Sequence, residues 1–141
     1  MLDLLREAVA ANQAEAATYS PAVRIWMAAM ALSFLSSLAF VIWKTGARWI
    51  LAALVVNVMG LITLKAMFPG FSRAEIGTTV HLLFWTMALF MIWRPKGQER
   101  RQAEFAGTFG TVYRAWLIIV SLIMSVSLVL DARTALSWVF S

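Results

Sequence analysis

The sequence predicts an all-α integral membrane protein: four transmembrane helices in an up-down-up-down bundle, with a short N-terminal interfacial helix. Three observations predict it. The 141 residues are 62% hydrophobic and 13% charged, where soluble domains run at roughly 45–50% and about 25%. Four apolar stretches recur, each long enough to cross a hydrocarbon core about 30 Å thick. Aromatic and basic residues bracket these stretches, as they do at membrane interfaces.

Residues 1–20 are the most polar part. Leu2, Leu5 and Val9 recur at helical spacing, so residues 2–18 read as a short helix with a weak apolar stripe. Asp3 and Glu7 stand where a secretory signal would be basic, so this helix is expected to lie on the membrane surface. Ser20-Pro21 is a helix start: the hydroxyl caps free N–H groups, and proline suits the first helical position. The first span is expected over 23–43, with Arg24 at its mouth and Ser33 and Ser37 sharing a face. Residues 44–48 form a tight connection, and the second span runs over 49–68 with Gly60 on its packing face. Pro69-Gly70 ends it. The third span, 76–93, carries His81, with Trp85 four residues on. Arg94-Pro95 stops it. The long charged connection that follows has room for a surface helix over 98–105. The fourth span covers 112–130, with Ser121 and Ser125 at small-residue spacing. The tail, 131–141, is expected to fold back on the interface. All of this is one membrane domain, 1–141.

Orientation follows from the basic residues. Lys44, Arg48, Arg94, Lys96, Arg100, Arg101 and Arg114 fall on one side, against Arg6, Arg24, Lys65, Arg73 and Arg133 on or near the other. The positive-inside rule then puts the basic connections in the cytoplasm and both termini outside, in a cell membrane of the bacterial inner type. Arg94, Lys96, Arg100 and Arg101 are expected to face anionic lipid headgroups. The net charge of +5 is therefore a lipid signal and does not point to nucleic acid. Phe40-Val-Ile-Trp-Lys44 and Phe90-Met-Ile-Trp-Arg94 repeat at an offset of fifty residues. The plainer reading is that any helix prefers an aromatic and then a cation at this interface.

The topology gathers chemistry at the outer end. Arg24, Lys65, Arg73, Glu75, His81 and Asp131 all fall on that side, with Asn57 deeper in the second span. Ionisable groups this close to hydrocarbon are paired or functional. Together they form a candidate polar site for an ion or an anionic group, and Lys65–Asp131 and Lys65–Glu75 are the ion pairs expected first. No catalytic residue, metal site or cofactor is assigned. A single histidine and no cysteine exclude a haem held by two histidines of one chain and any thiolate site. The Gly107–Thr111 run, GTFGT, is a weak phosphate-loop signal that a plain turn explains as well.

Three function classes share these features. A homo-oligomeric channel or transporter subunit leads, with its pathway between subunits and Asn57, Lys65, Ser121, Ser125 and Ser127 as lining positions. An accessory or assembly subunit of a larger membrane complex follows. A membrane-embedded enzyme or lipid-binding protein is third, since Glu75 and His81 have no serine or threonine nucleophile placed beside them.

Overall fold

A computed structural model describes residues 1–140, and Ser141 lies outside the described residues. Those residues form seven α-helices and no strand. They are α1 (Leu2–Ala17), α2 (Pro21–Leu35), α3 (Thr45–Met67), α4 (Arg73–Val80), α5 (Thr86–Trp93), α6 (Gln98–Glu104) and α7 (Gly107–Val139). A π-helical turn, His81–Trp85, joins α4 to α5 in one continuous rod. Four rods are long and apolar enough to cross a membrane: Pro21–Ala39, Thr45–Met67, Arg73–Trp93 and Gly107–Val139.

The rods differ from the sequence boundaries for local reasons. The first stops short of residue 43. After Leu35 it tightens into a 3-10 turn, Ser36–Ala39, and then unwinds. Ser33 and Ser36 hydroxyls donate to the Ala29 and Ser33 carbonyls, the kind of back-bonding that bends and weakens a helix. Phe40 is then free to turn inward onto Tyr113 and Trp116. The carbonyls left open at Val41 and Ile42 are taken by the Arg48 guanidinium. The Phe40–Lys44 motif is thus a turn, whereas Phe90–Trp93 is helical, so the fifty-residue repeat does not extend to local conformation. The second rod begins four residues early, at Thr45, because the Glu104 carboxylate accepts from the Thr45 amide and hydroxyl. The third begins at Arg73, where Ser72 and Glu75 make a reciprocal capping box. The fourth runs beyond both ends expected for it, from Gly107 to Val139. No glycine or proline follows Leu130 to break it, so residues 131–139 continue the helix instead of folding back.

Apolar residues are distributed inside out for a water-soluble chain. The main core is a narrow strip in which Phe34, Ile50, Trp85, Leu117, Val120 and Met124 from all four rods meet. Ile25, Leu32, Ile42, Leu83, Phe90 and Val129 point outward and are exposed. Close approaches use small residues. A Cβ on Gly46 would stand 2.4 Å from the Tyr113 hydroxyl, and one on Gly60 would stand 3.0 Å from Val80. α1 docks on the second half of α3, where Asn12 is buried and its amide donates to the Leu61 carbonyl at 3.1 Å.

Candidate functional site

The π turn sets the site. It adds a residue to one helical turn and changes the facing of the side chains around it. His81 and Trp85 end up stacked, ring centroids 3.8 Å apart and planes 24° from parallel. The imidazole is then held at both nitrogens. Nδ1 lies 2.9 Å from Asp131 Oδ2, and Nε2 lies 3.1 Å from Asn57 Oδ1. The second carboxylate oxygen, Oδ1, accepts from the Thr78 hydroxyl at 3.1 Å. Four helical segments thus meet in one cluster: α3 through Asn57 and α7 through Asp131 at the ring, the π turn through His81 itself, and α4 through Thr78 at the carboxylate.

Depth along each rod agrees. His81 is eight residues from Arg73, Asn57 ten from Met67 and Asp131 eight from Val139, or about 12–15 Å from those rod ends at 1.5 Å per residue. The His81 and Asp131 side chains are 14% and 19% exposed, so the pair is mostly but not wholly enclosed.

The geometry defines what the cluster can do. Both ring nitrogens face acceptor oxygens, which a doubly protonated imidazole satisfies by donating twice. A singly protonated ring donates only once. If it keeps its bond to Asp131, Asn57 can answer by rotating its amide to present the NH₂. One proton can therefore be held or passed on with a side-chain rotation and no backbone change. The Thr78 hydroxyl meets the carboxylate and not the imidazole, so His81 has no nucleophile to activate here.

A second cluster lies nearer the rod ends. Lys65 is buried, and its ammonium donates to Glu15 Oε1 at 2.5 Å and to the Phe71 carbonyl at 2.6 Å. Glu15 Oε2 accepts from the Arg73 amide at 2.5 Å. The Lys65 hydrogen bond, and after it the Arg73 amide, hold the Glu15 carboxyl below the usual carboxylate range. Partial burial pushes the nearby Tyr19 phenol up.

The seven candidate residues are therefore not one pocket. Asn57, His81 and Asp131 come together. Lys65 and Arg73 meet around Glu15. Glu75 spends its carboxylate on the Ser72 amide and hydroxyl, capping α4. Arg24 is exposed on the first turn of α2 and joins neither group. Both expected ion pairs are replaced: Lys65 pairs with Glu15, and Asp131 pairs with His81. The reason is the docking of α1, which supplies a carboxylate nearer to Lys65 than either expected partner.

Among the packing positions, Ser37 is fully buried, and Ser121 accepts from the Trp93 indole at 3.0 Å. Ser33 and Ser125 donate back to their own helices at Ala29 and Ser121, and Ser125 is exposed. Ser127 reaches Met30. Glu15, Asn12 and Thr78 were not expected at either cluster. Asn12 and Glu15, three residues apart in an alanine-rich helix, share a face with Ala8, and that spacing was the available signal.

At the opposite end, the Lys44 ammonium donates to the Glu104 carbonyl, and Arg101 donates to the Ile92 carbonyl while lying over the Trp93 ring. The GTFGT glycines serve the chain path. Gly107 has φ +73°, and a Cβ on Gly110 would come within 2.5 Å of the Phe105 backbone. Comparison with protein-family models, curated proteins and solved structures finds no match for this chain.

Proposed function

We propose that the chain is a multi-pass membrane protein and one subunit of a homo-oligomeric channel or transporter, with the His81–Asp131 pair on the path of a proton or small ion. In this reading the four rods cross the bilayer up-down-up-down. Both termini and the Glu15–Lys65–Arg73 cluster lie outside, with α1 near the interface. The basic connections face the cytoplasmic leaflet of a bacterial inner membrane and its anionic headgroups. Two sets of contacts support the alternation: Glu104 against Lys44 and Thr45 at one end, and Glu15 against Lys65 and Arg73 at the other.

The observation that carries the functional reading is a partly open ionisable pair inside apolar rods. Hydrocarbon does not tolerate such a pair facing lipid. It needs a water-filled route or another protein surface where it is exposed. Two clefts of the chain lie at the other end, around residues 45–49 and 91–117. A conduit between subunits fits both facts.

Flux from liposomes containing the purified chain tests this. Wild-type protein is expected to dissipate a proton or small-ion gradient. His81→Gln and Asp131→Asn are expected to lose most of that flux while remaining folded. A monomer by mass with no flux under any gradient overturns the proposal.

A second reading rests on the same cluster. Every polar atom of His81 already has a protein partner, as in structural hydrogen bonding between helices. An accessory subunit of a larger complex would need no more than that. Mild-detergent purification from the native membrane would then bring partner chains with it.

A further inference from the structure

The end of the molecule opposite His81 holds a cleft of about 270 Å³, between the first turn of α3, the α5–α6 connection and α7. Thr45, Gly46, Tyr113, Arg94, Lys96 and Arg100 line it. Its other charged residues are largely engaged within the protein. Arg101 is bonded to the Ile92 carbonyl, and Glu104 caps Thr45. Among the described residues, no hydrogen bond or ion pair occupies the side chains of Arg94, Lys96 and Arg100, and the cleft keeps a positive balance against Glu99.

Tyr113 points the same way. Its side chain is fully buried, yet its hydroxyl has no hydrogen-bond partner. The Gly46 and Ala47 amides lie close to this oxygen without closing a hydrogen bond. The nearby Glu104 carboxylate caps Thr45 and takes no hydrogen bond from the phenol, so the missing partner is an acceptor. Residue 46 is glycine where a Cβ would collide with that hydroxyl at 2.4 Å, so the backbone and the phenol are brought as close as a chain allows.

We propose that this cleft binds a phosphate group, with the Tyr113 hydroxyl donating to one oxygen and Arg94, Lys96 and Arg100 balancing the charge. Phosphate fits better than a carboxylate because it offers more acceptor oxygens to donors arriving from several directions. An anionic lipid headgroup and a soluble phosphate ester share this chemistry. The site is independent of the His81 reading, and either can fail without the other.

Titration of the full-length chain in mild detergent tests it, with thermal stabilisation as the readout. The probes are phosphatidic acid, glycerol 3-phosphate and, as a control, phosphatidylcholine. Saturable stabilisation by phosphatidic acid alone identifies a lipid ligand, and stabilisation by glycerol 3-phosphate identifies a soluble one. Tyr113→Phe is expected to weaken binding about tenfold or more, as loss of a hydrogen bond to a charged group does. The same variant without ligand should be at least as stable as wild type, since it removes an unpartnered buried hydroxyl. Arg94→Gln and Arg100→Gln should each weaken binding as well, and they decide the matter if Tyr113→Phe does not fold. No saturable binding by either phosphate probe overturns the proposal. So does equal binding of phosphatidylcholine, or binding that a folded Tyr113→Phe leaves unchanged.

Discussion

Replacing Glu15 by alanine removes two charge-assisted hydrogen bonds at once, from Lys65 Nζ and from the Arg73 amide, each 2.5 Å long. The Lys65 side chain is 9% exposed and Glu15 is 32% exposed. The pair is thus neither a surface bridge, contributing about 0–1 kcal/mol, nor a fully buried one, whose halving costs about 3–5 kcal/mol. Lys65 keeps the Phe71 carbonyl at 2.6 Å, which limits the damage. A loss of about 2 kcal/mol follows, or about 6 °C in Tm for a chain of this size. Thermal unfolding of the detergent-purified protein reads it. Adding Lys65→Met to Glu15→Ala should recover much of the loss, because no charge is then left buried alone. The pH dependence has a definite sign. The folded carboxyl titrates below its unfolded value of about 4.3, so the contribution is full above that pH and is lost as pH falls through the lowered value. Wild type and Glu15→Ala should therefore converge in acid. A Tm change under about 1 °C at neutral pH, or an equal loss in the Lys65→Met background, refutes the reasoning.

Two further substitutions probe the packing and the site. Gly46→Ala puts a Cβ against the Tyr113 hydroxyl and should destabilise by about 1–3 kcal/mol through overpacking. Tyr113→Phe in the same chain should relieve part of that loss, as unfolding of the double variant would show. Thr78→Val removes the hydroxyl that orients Asp131 Oδ1 at nearly constant volume. A Tm lower by about 3–6 °C is expected, together with reduced liposome flux if His81 lies on the ion path.

The four long helices were legible because hydropathy over about twenty residues is a coarse sum that local detail cannot hide. Their ends were less so. Leu35 is followed by Ser36-Ser37 and then apolar residues, with no glycine or proline to stop the helix, which yields there to serine back-bonding and the inward turn of Phe40. The extension to Val139 was missed because Asp131 looked like a closing charge, while in the fold it is an interior partner of His81. His81, Asn57 and Asp131 were marked as polar groups toward one end, and the structure brings the three into contact. Their grouping was not readable, since a π turn carries no composition signature and sets which way His81 and Trp85 face. Lys65 was assigned the wrong partner for a different reason. The apolar stripe Leu2, Leu5, Val9 suggested a membrane-facing α1, but the face that docks carries Ala8, Asn12 and Glu15.

Because the chain has no cysteine, a single introduced thiol is a unique reporter. Gln13 on α1 and Gln98 on α6 are both exposed and lie at opposite ends of the long helices. In intact cells, a membrane-impermeant maleimide should label Gln13→Cys directly and Gln98→Cys only after permeabilisation. Labelling of both positions without permeabilisation, or the reverse pattern, contradicts the crossing of the bilayer on which the ion path at His81 and Asp131 depends.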